Sequence, residues 1–343
     1  MIRVLVVDDS AFMRKVISRI LEKDTSIKVI GTAEDGQQAI EKIAELKPDV
    51  VTLDVEMPRM NGIDALRHIM AHNPLPVIML SGLTSEGAHI TLDALNLGAC
   101  DFIQKDLGAG TLGIFKIEEE LIRKVKDVAR KKVRSTSQRS ADPPRRQVTL
   151  SAPGSPPREI LALGASTGGP PVLQQILMSL PKDFPVPIAI AQHMPKLFTT
   201  SFAERLNNLS QISVKEAENR EPLRPGVALI APGDTHMVLR RRGREVFVEF
   251  VSDAKYIYRP SVDLLMTGVA QAFGARSIAV ILTGMGNDGL AGFREIRAKN
   301  GFIIAQDEET CVVYGMPRAV VEAHLADVVL PAQKIPEEII RAL

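Results

Sequence analysis

Two sets of polar residues in this chain have the types and the spacing of working chemistry. The first begins in the Gly-rich turn "LGASTGGPP" at 163–171, where Ser166 lies between an apolar run, "EILAL", and a helical pattern, "PPVLQQILMSL". Such a turn suits a nucleophile, a phosphate-binding mouth or a helix cap, because each uses backbone N–H groups at a helix start. A phosphate loop needs a Gly-Lys-Ser/Thr ending and a dinucleotide fingerprint needs G-x-G-x-x-G; neither is present. A nucleophile needs a base, and a serine cap does not. The next apolar run, "PVPIAIA", ends in "QHMP", which sets His193 27 residues downstream, one β-helix-β unit away. A later run, "SIAVILT", opens into "GMGNDG", which carries Asp288. Taken singly, His193 is an ordinary half-buried histidine and Asp288 a cap for "GLAGFREIRAK"; together with Ser166 they form an acyl-transfer set. His236, in "APGDTHM", is the competing base or a substrate contact, but it precedes an apparent hairpin, "MVLRRRGREVFVEF", so His193 is preferred. The chain order Ser, His, Asp differs from that of α/β-hydrolases, so the G-x-S-x-G match does not imply that fold.

The second set is acidic. Asp8 and Asp9 follow a first apolar run, Asp54 a third, Ser81 a fourth and Lys105 a fifth. In an open parallel sheet, ligands bind outside the carboxyl ends of the strands, so these residues converge on one crevice. Three carboxylates there repel one another unless a cation joins them. A divalent ion with oxygen ligands, Mg²⁺, would relieve that repulsion and hold a phosphoryl group against Asp54, with Lys105 and Ser81 on the phosphoryl oxygens. The bland alternative is helix capping, as by Asp9 before "SAFMRKV".

The elements that must carry these residues are legible as hydrophobic periodicity. Up to about residue 130, the runs "RVLVV", "KVIGT", "DVVTL", "PVIML" and "DFI" alternate with amphipathic patterns such as "AFMRKVISRILEK", which predicts a (βα)5 unit with a parallel sheet. A Pro-, Ser- and Arg-rich stretch without periodicity reads as a flexible basic linker over 131–157. A second α/β unit with a mainly parallel sheet and an antiparallel hairpin is predicted over 158–343. The 343 residues suit two domains. The 42 Lys+Arg against 41 Asp+Glu give no electrostatic case for nucleic acid or an anionic membrane. No segment has the length and apolarity of a signal peptide or membrane span, so the expected location is the cytoplasm. Cys100 and Cys311 lack disulfide or zinc spacing and are expected as buried packing residues.

The first third of the chain resembles a response-regulator receiver through "VVDDS", "LDVEMPRMNG", "LSG" and "DFIQK". The resemblance implies a flavodoxin-like sheet of order 2-1-3-4-5. It also implies Asp54 as phosphoacceptor, Asp8 and Asp9 with the Glu56 backbone as the Mg²⁺ site, and Ser81 and Lys105 as switch partners. Phe102 stands where receivers often carry a tyrosine switch. The second half resembles the catalytic domain of the chemotaxis protein-glutamate methylesterases, the CheB family, through "GASTGGP", "QHMP", "APGDTHM", "YRPSVDLLM", "TGMGNDG" and "CVVYGMP". That resemblance implies a Ser166–His193–Asp288 triad with Met285 beside it and no cofactor in this half. Backbone donors for an oxyanion are expected in the turn after Ser166, at Thr167, and in the Gly284–Gly286 turn. The implied substrates are methyl-accepting chemotaxis receptors, at glutamate γ-methyl esters and glutamines, and the implied phosphodonor is a chemotaxis histidine kinase. An unphosphorylated receiver is expected to shield the catalytic cleft. The alternatives from other classes are a non-enzymatic binding output and a cysteine hydrolase using Cys311.

Overall fold

A computed structural model describes residues 1–82, 84–105, 110–134 and 156–343, and it divides into two compact units, Met1–Ser140 and Ala141–Leu343. In the first unit β1 (Ile2–Val7), α1 (Ala11–Leu21), β2 (Ile27–Ala33), α2 (Gly36–Leu46), β3 (Val50–Asp54), α3 (Gly62–His72), β4 (Val77–Ser81), α4 (Ser85–Asn96), β5 (Asp101–Gln104) and α5 (Gly110–Arg134) alternate. The strands pair in parallel in the order 2-1-3-4-5. Strands β3 and β4 are buried along their whole length, which is why they read as unbroken apolar runs rather than alternating ones. Helix α1 shows the opposite pattern: Met13, Ile17, Ile20 and Leu21 form its buried stripe, and Ser10 caps it by accepting from the Met13 N–H at 3.4 Å. Because α5 runs to Arg134, the first residues of the expected 131–157 linker are helical; its residues 135–155 lie outside those described.

The second unit contains β6 (Ile160–Ala165), α6 (Gly169–Met178), β7 (Ile188–Gln192), α7 (Lys196–Leu209), β8 (Ser213–Glu216), β9 (Val227–Ile230), β10 (His236–Arg242), β11 (Glu245–Val251), α8 (Val262–Phe273), β12 (Ser277–Ile281), α9 (Leu290–Ala298), β13 (Phe302–Gln306), α10 (Met316–Glu322), β14 (Val328–Leu330) and α11 (Ile335–Ala342). Among the described residues, seven strands form one sheet of order 14-13-12-6-7-9-8, every neighbouring pair parallel. Strands β10 and β11 form the separate antiparallel hairpin. Gly268 lets α8 approach it: a Cβ there would stand 2.7 Å from the Leu239 amide nitrogen. Strands β6, β7 and β12 are buried throughout and lie side by side at the centre, so the turns after them share one edge of the sheet. Cys311 is buried, as expected, whereas Cys100 is only half-buried. No described helix is long and apolar enough to cross a membrane.

Candidate active site

Ser166, His193 and Asp288 arise from the turns after β6, β7 and β12. The register pairs Ala165 with Gln192, so Ser166 and His193 are the next residues on neighbouring strands. The His193 N–H donates to the Ala165 carbonyl at 3.1 Å, and the buried Gln192 amide donates to the Ser166 and His193 carbonyls at 3.0 Å each, tying the two turns together. The Ser166 N–H donates to the Thr283 carbonyl at 3.0 Å, which joins the β12 turn to the same point. Gly284 is required there: a Cβ would come within 2.8 Å of the Ser166 Cβ. Ser166 does not cap α6; the N-cap is Gly168, without a side-chain hydrogen bond. Its hydroxyl is therefore not committed to the helix.

His193 Nε2 lies 2.7 Å from Asp288 Oδ2. Asp288 does not cap the helix that follows it, α9, whose N-cap is Gly289. It reaches instead to the start of α8, accepting from the Val262 N–H at 2.7 Å, the Asp263 N–H at 3.1 Å and the Ser261 hydroxyl at 3.0 Å. Burial opposes its charge, but the hydrogen bond from His193 and those from the α8 backbone outweigh it and hold the carboxyl below its ordinary value. An ionised carboxylate only accepts, so Nε2 carries the imidazole hydrogen and Nδ1 carries the basic lone pair. His193 Nδ1 is buried with no hydrogen-bond partner, and among the described residues no hydrogen bond joins it to the Ser166 hydroxyl. The arrangement is a carboxylate–imidazole pair with its base nitrogen unengaged, beside a serine on the adjacent strand end.

The other candidates separate. His236 is fully buried at the start of β10; its Nδ1 accepts the Ser261 N–H at 3.1 Å, and burial lowers its proton affinity. It supports the segment that holds Asp288. Thr167 and Met285 are each 4% exposed in the turns flanking Ser166. The Gly284 N–H donates to the Val313 carbonyl at 3.0 Å, which removes it from the expected oxyanion donors. Cys311 is 2% exposed, and its neighbour Val312 packs against Gly168. Ser261, Gln192 and Thr283 were not singled out as residues by sequence, although they fall within the motifs "YRPSVDLLM", "QHMP" and "TGMGNDG".

In the receiver unit, Asp8, Asp9 and Asp54 bring carboxylate oxygens within 4.8 Å of one another. Asp9 is exposed and does not cap α1, the part Ser10 plays. Lys105 Nζ bridges Asp8 Oδ2 at 2.8 Å and Asp54 Oδ1 at 2.7 Å. Burial pushes the Asp54 carboxyl up to about 6; the Lys105 ammonium opposes the shift, and Asp8 and Asp9 add to it. Burial pulls the Lys105 ammonium down, but Asp54 and Asp8 outweigh it and hold it above its ordinary value. The donor set, all carboxylate oxygen with the Glu56 backbone close in sequence, fits a hard divalent cation. Ser81 is buried with its Oγ 2.8 Å from Thr91 Oγ1 and 3.3 Å from the Gly87 carbonyl, so its hydroxyl is engaged with α4. Phe102 is 4% exposed, its ring 5.4 Å from Lys124 Nζ. Thr91 and Lys124 lie on helix faces and were invisible as partners before the fold was known.

A receiver fold with a carboxylate pocket, in one chain with a Ser, His–Asp arrangement at parallel strand ends, defines a response regulator with a hydrolase output. Residues 4–113 match the response regulator receiver domain and residues 161–339 match the CheB methylesterase domain. The chain is 48% identical, over the whole of both chains, to protein-glutamate methylesterase/protein-glutamine glutaminase 1 of Oleidesulfovibrio alaskensis. It is 47% identical to the protein-glutamate methylesterase/protein-glutamine glutaminase of Thermotoga maritima, over 99% of this chain and 98% of that one. The crystal structure of the Thermotoga maritima CheB methylesterase catalytic domain superposes with a TM-score of 0.53 at 47% identity, covering 54% of this chain and 99% of that chain. The chain belongs to the CheB methylesterase family, in the form that carries a receiver domain.

Proposed function

We propose that this chain is a phosphorylation-regulated protein-glutamate methylesterase that also deamidates glutamine, acting on methyl-accepting chemotaxis receptors through Ser166, His193 and Asp288. The observation that carries the triad is the 2.7 Å His193–Asp288 contact with Nδ1 left unengaged beside the Ser166 turn. In this reading the Ser166 oxygen attacks the ester carbonyl carbon while its proton passes to His193 Nδ1. Asp288 keeps the tautomer and stabilises the imidazolium. The tetrahedral oxyanion meets backbone N–H groups of the turns at Thr167 and at Met285–Gly286; one such donor typically contributes about 3 kcal/mol to the transition state. Collapse breaks the carbonyl–methoxy bond, and His193 returns its proton to the departing methanol. Water then attacks the acyl-serine with His193 again as base, releasing glutamate and free Ser166. A glutamine side chain has the same acyl geometry, with ammonia in place of methanol as the leaving group.

For the receiver, the reading makes Asp54 the phosphoacceptor, with a chemotaxis histidine kinase as donor. Asp8, Asp9, Asp54 and the Glu56 carbonyl would hold Mg²⁺, whose charge neutralises that of the phosphoryl oxygens. Lys105 is placed to pair with the phosphoryl group, and Ser81 must leave Thr91 to reach it. These partners set the enzyme in the cytoplasm. The test is methanol release from methylated receptor membranes, with and without acetyl phosphate and Mg²⁺. Stimulated release that vanishes in Ser166→Ala supports the reading; release unchanged in that variant rejects the serine mechanism.

A further inference from the structure

The motif "YRPSV" at 258–262 holds more than Asp288. Its serine and the start of α8 fix the carboxylate, as described, and the tyrosine two residues upstream of the proline lies on the imidazole. The Tyr258 and His193 rings are stacked with centroids 4.6 Å apart and planes 5° apart. The phenol also reaches the β12 turn, where a Cβ at Gly286 would stand 3.5 Å from its oxygen. Along the segment, Tyr256 packs edge-on against His236 at 5.8 Å, Ile257 between them is 86% exposed, and Tyr258 faces inward again. Both tyrosine rings thus lie against histidines, and the isoleucine between them is turned to solvent.

A hydrogen bond to one ring nitrogen leaves the imidazole free to swing about that contact. Asp288 holds Nε2 alone, and Nδ1 has no partner to hold the other side. A parallel aromatic face restrains the remaining tilt, and its electron-rich surface attracts the ring more strongly once the serine proton has made it a cation. We infer that Tyr258 is a positioning residue for the reaction: its ring fixes the plane of His193 and with it the direction of Nδ1, and it supports the imidazolium formed in each proton transfer. This role rests on the Ser166–His193–Asp288 reading.

The experiment compares Tyr258→Phe and Tyr258→Leu in the full-length protein, with folding checked by thermal unfolding. Two rates are read: labelling of Ser166 by a fluorophosphonate, which needs no receptor, and methanol release from methylated receptor membranes. Tyr258→Leu should lower the labelling rate and kcat about 10- to 30-fold while KM stays within about twofold, because ring placement matters in the transition state rather than in receptor binding. Tyr258→Phe, which keeps the face, should restore both rates to within about threefold of the wild type. A folded Tyr258→Leu that labels as fast as the wild type overturns the proposal. Equal losses in Phe and Leu variants overturn it too, since the hydroxyl would then be the active feature. If Tyr258→Leu does not fold, Tyr258→Met takes its place with the same two outcomes. Failure of the wild type itself to label would overturn the triad reading instead.

Discussion

With Asp288 on Nε2, the basic nitrogen of His193 is Nδ1, and the residue-level consequences follow from that proton inventory. His193→Ala should lower turnover about 10⁴-fold or more, close to Ser166→Ala, and the double variant should lose little beyond either, because members of a triad act as a unit. His236 accepts the Ser261 N–H through Nδ1. His236→Asn keeps an acceptor at that position and should retain more than about a tenth of turnover. Steady-state methanol release on folded variants decides it; near-normal turnover in His193→Ala with none in His236→Asn would reverse the assignment. In the receiver, Asp54 supplies one charge of the acidic cluster, and in the proposed reading it is also the phosphoacceptor. Asp54→Asn should leave basal esterase activity intact and abolish its stimulation by acetyl phosphate with Mg²⁺. Stimulation that survives would place control at another residue.

At the scale of elements, Asp288, the acid of the proposed triad, is held by a helix other than its own. The N-terminus of α8 offers the Asp288 carboxylate two backbone N–H groups and the Ser261 hydroxyl, where the partial positive charge of the helix favours an anion. Ser261 also accepts from the Leu264 N–H at 3.4 Å as the α8 N-cap. Ser261→Ala should therefore cost about 1 kcal/mol of stability from the cap alone, and a further amount that depends on pH. Asp288 is depressed in the folded state, so its stabilising effect is complete above the unfolded carboxyl value of about 4 and is lost as pH falls through the lower folded value. Removing a donor to the ionised form brings the folded value back toward the unfolded one. Thermal unfolding should then show the widest gap between wild type and variant above about pH 4, narrowing below it to the cap contribution. A gap that widens in acid would contradict this account of Asp288.

For the whole molecule, the question is how one unit governs the other. In the proposed reading, phosphorylation adds about two negative charges at Asp54 and draws on Lys105 and on Ser81, which α4 holds through Thr91 and Gly87. The family resemblance implies inhibition in cis, and we propose that the unphosphorylated receiver restrains the esterase. Carrying such an equilibrium from 1% to 99% active takes about 5.5 kcal/mol, and a smaller bias would give partial activation. A fragment beginning near Ser151, without the receiver, should turn over methylated receptor faster than the unphosphorylated full chain and gain nothing from phosphodonor. A folded fragment slower than the unphosphorylated whole would mean that the receiver contributes positively to catalysis or substrate binding.

The parallel sheets, the two-unit division and the placement of Asp54, Ser166, His193 and Asp288 at or just after strand ends were legible in the chain, because buried parallel strands write themselves as apolar runs and their carboxyl ends expose the polar residues that follow; the strand order 2-1-3-4-5 came from the receiver resemblance. What a serine or aspartate does after such a run is not legible, since capping and chemistry use the same residue types at the same positions. Only the tertiary structure separated them: Ser10 rather than Asp9 caps α1, Gly168 rather than Ser166 caps α6, and Asp288 turns from α9 to the start of α8. The partners Thr91, Gln192, Tyr258 and Ser261 come from other elements, brought to the site by the register of the strands and the crossing of α8. A local pattern carries the period of its own element; a contact between elements depends on how their faces pack, and that is set by the whole chain at once.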